Sequence, residues 1–318
     1  MTDVYQLSNR LYIIDTYDLK RKGRTASYVL KEDELTIIET SASPSVPHLL
    51  NGLSELGLSP DDIKNIIVTH IHLDHAGGAG LLLKHCPNAK VIVHPKGAKH
   101  LADPSRLIKG AKAVYGEKFE QLFDPILPIP EDRMVIKHHG ETLKLSDSCT
   151  LTFYDTPGHS RHHFSIYDSK SKGIFSGDTL GIYYNELKKE KIDFILPSTS
   201  PNQFDPDEML QSTSFIENLD VKEIYFSHFG VCHDPETVYS SIRKWMPIFL
   251  QAGEAGVQSI TNNDFNAAVQ AVEKELKNRI STYLTNIGVP ENHKVYEILS
   301  VDCQVCAMGL VDYLTKKK

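Results

Sequence analysis

"IIVTHIHLDHAGG", residues 66–78, sets His70, His72, Asp74 and His75 within six positions, directly after an apolar, β-branched run. The run reads as a buried strand. On a strand, side chains two apart point the same way, so His70 and His72 converge on one ion. The chain then turns into a helix expected over residues 76–85. At that turn Asp74 and His75 face a second ion beside the first. Gly77 and Gly78 leave the backbone uncrowded where the helix opens. Imidazole nitrogen and carboxylate oxygen are the donors that zinc and similar borderline ions take.

An ion needs more than two protein ligands, and the remaining candidates stand at later strand ends. "TPGHSRHH" offers His159 after the strand-like CTLTFYD, "SGDTL" offers Asp178 after GIF, and "FSHFG" offers His228 after EIYF. An aspartate between two histidine-bound ions can bridge them, one oxygen to each. His70, His72 and His159 then make one site, Asp74, His75 and His228 the other, and Asp178 the bridge. His162 and His163 read as groups that orient ligands or fix the loop. His94 reads as buried and hydrogen-bonded, and His138, His139 and His233 as surface residues.

H-x-H-x-D-H, then T-P-G-H, then G-D-T, then a last histidine together resemble the metallo-β-lactamase superfamily of metallohydrolases, in the dinuclear manner of glyoxalase II and lactonases. The resemblance spans roughly residues 8–235. It implies a four-layer αββα sandwich of α/β (α+β) class, two divalent metal ions, zinc before iron or manganese, and a metal-bridging hydroxide. The chain departs from familiar members in two places. T-P-G-H continues Ser160, Arg161, His162, His163, and Gly181 stands where quorum-quenching lactonases carry a tyrosine.

The first third reads as short strands, RLYIID, TASYVLK and ELTIIET, with polar turns between them. Residues 46–57 have helical spacing. Residues 96–140 read as a mainly helical insertion, and the stretch from Tyr183 to Pro206 as a loop with a short helix. A metal-binding domain is therefore expected over 1–251 and a helical extension over 252–318. Phe265, Val269, Val272 and Leu276 mark the apolar face of that extension, which should supply no metal ligand. Cys303 and Cys306 fall at helical spacing with Leu299 and Leu310, which suits core packing.

The 318 residues are 41% hydrophobic and 24% charged, with net charge −7. No general basic field is available for nucleic acid or an anionic membrane. The start, MTDVYQLSNRLYIID, lacks the pattern of a signal peptide, and no apolar run approaches the roughly 18 residues of a membrane span. Five cysteines, an odd number, fit a reducing cytoplasm. The expected partner is a small-molecule substrate, with a homodimer compatible with the chain.

The expected function is metal-assisted hydrolysis of a small-molecule ester, lactone or thioester. Asp74 accepts a proton from the attacking water, and Tyr183 or Tyr184 donates a hydrogen bond to the developing oxyanion. The rival from another class is a diiron protein that binds oxygen or senses redox state without hydrolysis.

Overall fold

The computed structural model describes residues 3–260 and 264–316. The chain divides into two units by contact. The first comprises residues 1–155, 162–177 and 221–233, and the second residues 156–161, 178–220 and 234–318.

The first unit holds two sheets. One runs in sequence order, β1 (Val4–Gln6), β2 (Leu11–Asp15), β3 (Ala26–Leu30), β4 (Thr36–Ile38), β5 (Asn65–Ile67), β6 (Lys90–Val93) and β7 (Met134–Ile136). Its first four strands are antiparallel and β4 to β7 parallel. The other uses β8 (Thr142–Ser146), β9 (Cys149–Asp155), β10 (Phe164–Asp168), β11 (Gly173–Gly177), β14 (Glu223–Phe226) and β15 (Gly230–Cys232), in the order β15-β14-β11-β10-β9-β8.

Strand alternation sorts the core. Ile37, Ile66, Val91 and Val93 join the apolar cluster with Val46, Leu49 and Leu53 of α1 (Val46–Glu55) and Leu82 and Leu83 of α3 (Ala79–His85). Their neighbours Ile38, Ile67 and Ile92 face the other way, toward Phe153, Phe164, Ile166 and Phe175 of the second sheet. Strands buried on both faces need continuous apolar runs, which is why IIV and VIV carry no alternation to water.

The helix expected over 76–85 begins earlier, as one turn, α2 (Leu73–Ala76), before α3. Asp74 and His75 therefore sit inside a helical turn. The expected insertion contains α4 (Pro95–Ala102), α5 (Ser105–Tyr115) and α6 (Phe119–Phe123), but residues 134–136 return to the sheet as β7. A three-residue edge strand is too short to stand out from its proline-rich approach.

The second unit contains a ribbon of β12 (Ile182–Tyr183) and β13 (Ile195–Leu196), with α7 (Pro206–Glu217), α8 (Pro235–Gln258), α9 (Phe265–Asn286) and α10 (Val295–Lys316). The boundary expected at residue 251 falls inside α8, which runs through it unbroken. Trp245 and Phe249 of α8 share one core with Val272, Leu276 and Ile280 of α9 and Leu299, Cys303, Cys306 and Leu310 of α10. Both thiols are free and buried, and burial pushes the Cys306 thiol up to about 11. Phe265 departs from the expected face. It opens α9 and is exposed, whereas Val269, Val272 and Leu276 are buried.

Among the described residues, α10 is the one helix long and apolar enough to cross a membrane by length and composition, contrary to the expected absence of such a run. Half of its apolar window is buried, and it packs on α9 and α8 within the unit, as a core helix does.

Candidate metal centre

β4 and β5 are parallel, and Ile38 pairs with Ile67. Their carboxyl ends therefore open together, at Glu39 and at Thr69–His70. Open sheets bind ligands beyond such strand ends. Glu39 is 2% exposed with a left-handed backbone, φ 70. Its Oε1 accepts hydrogen bonds from the Thr69 amide, the Thr69 hydroxyl and the Ser227 hydroxyl. Its Oε2 lies 3.5 Å from His75 Nδ1.

That contact aims the other ring nitrogen of His75 at Asp74, whose Oδ2 is 3.6 Å away. His228, delivered by β14, brings Nε2 within 3.8 Å of the same oxygen. The donor atoms of Asp74, His75 and His228 all lie within 4.8 Å of one another. Beside them His70 Nε2 is 2.9 Å from His72 Nδ1. Donors this close, most of them buried imidazoles, fit a cation better than they fit one another. His163 and His162 flank the group, with ring centroids 5.1 and 6.2 Å from that of His70.

In the second unit, His159 Nε2 lies 3.5 Å from Asp178 Oδ2. His159 Nδ1 donates to the Ser198 carbonyl at 2.9 Å, since a carbonyl can only accept, which makes Nε2 the unprotonated nitrogen of a neutral ring. The Ser198 hydroxyl donates to Asp178 Oδ2 at 3.1 Å.

Both tyrosines are engaged elsewhere. Tyr183 donates to Asp193, and Tyr184 donates to Asp302 at 3.0 Å. They are 3% and 2% exposed, and the Tyr184 ring belongs to the helical core. An extended loop would turn one of the two outward, whereas the ribbon buries both. His94 is buried as expected. Its Nδ1 accepts from the Lys96 amide and its Nε2 stands 3.3 Å from Asp155.

Three contributors escaped sequence reading. Ser198 sits in an unremarkable loop. Glu39 ends the apolar run LTII as His70 ends IIVT, but a lone carboxylate has no second donor spaced against it in the sequence. Asp18 is 3% exposed, in a turn whose neighbours Tyr17, Leu19 and Lys20 all have positive φ. Burial first, and the charge of Asp74 next, push its carboxyl up to about 6.

The family model described as the metallo-beta-lactamase superfamily matches residues 21–228. The chain belongs to that superfamily. The metallo-beta-lactamase fold-containing protein ST1585 of Sulfurisphaera tokodaii is 28% identical over 174 residues, 54% of this chain and 62% of the relative. Its crystal structure superposes with TM-score 0.66 at 20% identity, covering 95% of this chain and 98% of that one. The rubredoxin-oxygen oxidoreductase of Megalodesulfovibrio gigas is 29% identical over 141 residues, 44% of this chain and 29% of the relative. A hydroxyacylglutathione hydrolase of Legionella pneumophila is 27% identical over 118 residues, 37% of this chain and 34% of the relative. By sequence, then, the chain spans 62% or less of these relatives' lengths. The superfamily binds dinuclear metal centres, and the first unit carries a cluster of histidine and aspartate donors.

Glu39→Gln keeps the shape but removes the charge that orients His75. Outer partners of metal-bound histidines are worth about 10- to 100-fold in affinity. Zinc titration against a chromogenic chelator should show a loss of that size. Unchanged affinity would reduce Glu39 to a loop-fixing group.

Proposed function

We propose that the protein is a metal-dependent hydrolase of a small-molecule ester, lactone or thioester. The observation that carries this reading is the exposure gradient within one group of donors. The His75 and His228 side chains are 1% and 3% exposed, whereas Asp74 is 25% exposed. Buried imidazoles hold an ion, and a carboxylate open to water can take a proton from an incoming water molecule. On the order of the sequence motifs, His70, His72 and His159 would hold one ion, Asp74, His75 and His228 a second, and Asp178 would serve both. When bound, such ions lower the pKa of a coordinated water toward about 7 and polarise a carbonyl oxygen. Glu39 and the Ser198 carbonyl orient His75 and His159. Similarity to a hydroxyacylglutathione hydrolase supports a thioester among the candidate substrates. Five buried free thiols support a reducing compartment, the cytoplasm.

The test is a hydrolysis screen over lactones, thioesters, aryl esters and phosphoesters, with protein reconstituted with zinc, iron or manganese. One of the first three classes should be turned over, and Asp74→Asn should lower its rate by about 10²- to 10⁴-fold, the range of general-base contributions. No turnover of any of them, or an unimpaired Asp74→Asn variant, would defeat the proposal.

Similarity to a rubredoxin-oxygen oxidoreductase favours a second reading, a diiron centre that handles oxygen. Metal analysis and a visible spectrum of freshly purified protein separate the two, because zinc is colourless and an oxidised diiron centre absorbs.

A further inference from the structure

Residues 197–200, Pro-Ser-Thr-Ser, lie between the two ligands of the second unit and its last helix. On the ligand side they make three hydrogen bonds. The Ser198 carbonyl accepts from His159 Nδ1 at 2.9 Å, the Ser198 hydroxyl donates to Asp178 Oδ2 at 3.1 Å, and the Ser200 hydroxyl donates to the His159 carbonyl at 2.8 Å. On the helix side the Thr199 hydroxyl donates to the Cys306 carbonyl at 2.8 Å, and the Cys306 thiol donates to the Pro197 carbonyl at 3.7 Å. Gly309 lets α10 approach, since a Cβ there would stand 2.4 Å from the Thr199 carbonyl oxygen. Ser198, Thr199 and Ser200 are 7%, 1% and 5% exposed, so little water is available to replace these bonds.

We infer that residues 197–200 form a strap that sets His159 and Asp178 for metal binding, with Ser198 as the positioning residue and α10 as the backing that holds the strap. The inference rests on the reading that His159 and Asp178 ligate metal. Its physical content is tautomer and aim. The Ser198 carbonyl keeps the His159 proton on Nδ1, and the Ser198 hydroxyl fixes one oxygen of Asp178. α10 lies more than a hundred residues along the chain from either ligand, so it acts on them through packing.

The experiment uses the full chain, stripped of metal and titrated with zinc against a chromogenic chelator. Ser198→Ala and Gly309→Ala should each weaken zinc binding by about 10- to 100-fold. Thr199→Val should do the same while Thr199→Ser, which keeps the hydroxyl, binds as the parent does. Should Gly309→Ala fail to fold, the Thr199 pair decides, with circular dichroism establishing that both are folded. If the parent binds zinc and Thr199→Val and Ser198→Ala bind it equally well, the strap is overturned. If the parent itself binds no zinc, or His159→Ala binds it as the parent does, the ligand reading fails instead.

Discussion

Asp178→Ala should lose metal and activity together. In the proposed centre this carboxylate serves both ions, so its removal leaves two incomplete donor sets. Altering an outer partner costs about 10- to 100-fold in affinity, and deleting a shared ligand exceeds that. Metal content after dialysis should fall from two equivalents toward none, and turnover should drop by more than about a hundredfold with it. Circular dichroism should stay that of the parent, because Asp178 lies at a strand exit and its side chain supports no sheet pairing. A variant that retained two equivalents and full turnover would remove the bridging role and leave the two sites independent.

Gly177→Ala, one residue earlier, should damage stability as well. Gly177 has φ 53, and a Cβ there would lie 2.3 Å from His163 Nε2 and 2.7 Å from Thr69 Oγ1. The left-handed backbone alone costs an ordinary residue about 1–2 kcal/mol. Forcing a methyl into a packed site adds about 1–3 kcal/mol. The melting temperature should fall by roughly 10 °C. Gly57→Ala separates the two contributions, because Gly57 has φ 67 and nothing within 4 Å of its added Cβ. Equal melting temperatures for the two variants would show that the close approach at Gly177 costs nothing. Because His163 adjoins His70 and Thr69 bonds to Glu39, the displaced groups belong to the donor cluster, and zinc affinity should fall in Gly177→Ala alone.

The elements that positioned the site were legible where local pattern is strong. IIVTH reads as a strand because its residues are β-branched and bounded by polar ends, and β5 occupies its start. The spacing of His70, His72, Asp74 and His75 marks candidate donors before any fold is known. The ribbon of β12 and β13 was not legible. Two strands of two residues have no periodicity to read, and their pairing across the intervening helical turn is a tertiary fact. That pairing took both tyrosines into the interior, against the expectation that one of them faces a substrate.

Glu39, Ser198 and Asp18 were hidden for a different reason. Each acts on a group distant in sequence, through a parallel strand pair, a loop or a strained turn. A single carboxylate or hydroxyl carries no spacing signal. The division between units was likewise invisible, because residues 156–161 and 178–220 join the C-terminal helices by contact rather than by order. The sequence by itself determined the candidate donor types, their order along the chain and the superfamily, since these depend on donor chemistry and local periodicity. The tertiary structure alone decided which groups hold those donors in aim and which face meets water, since these depend on contacts between residues far apart in the chain.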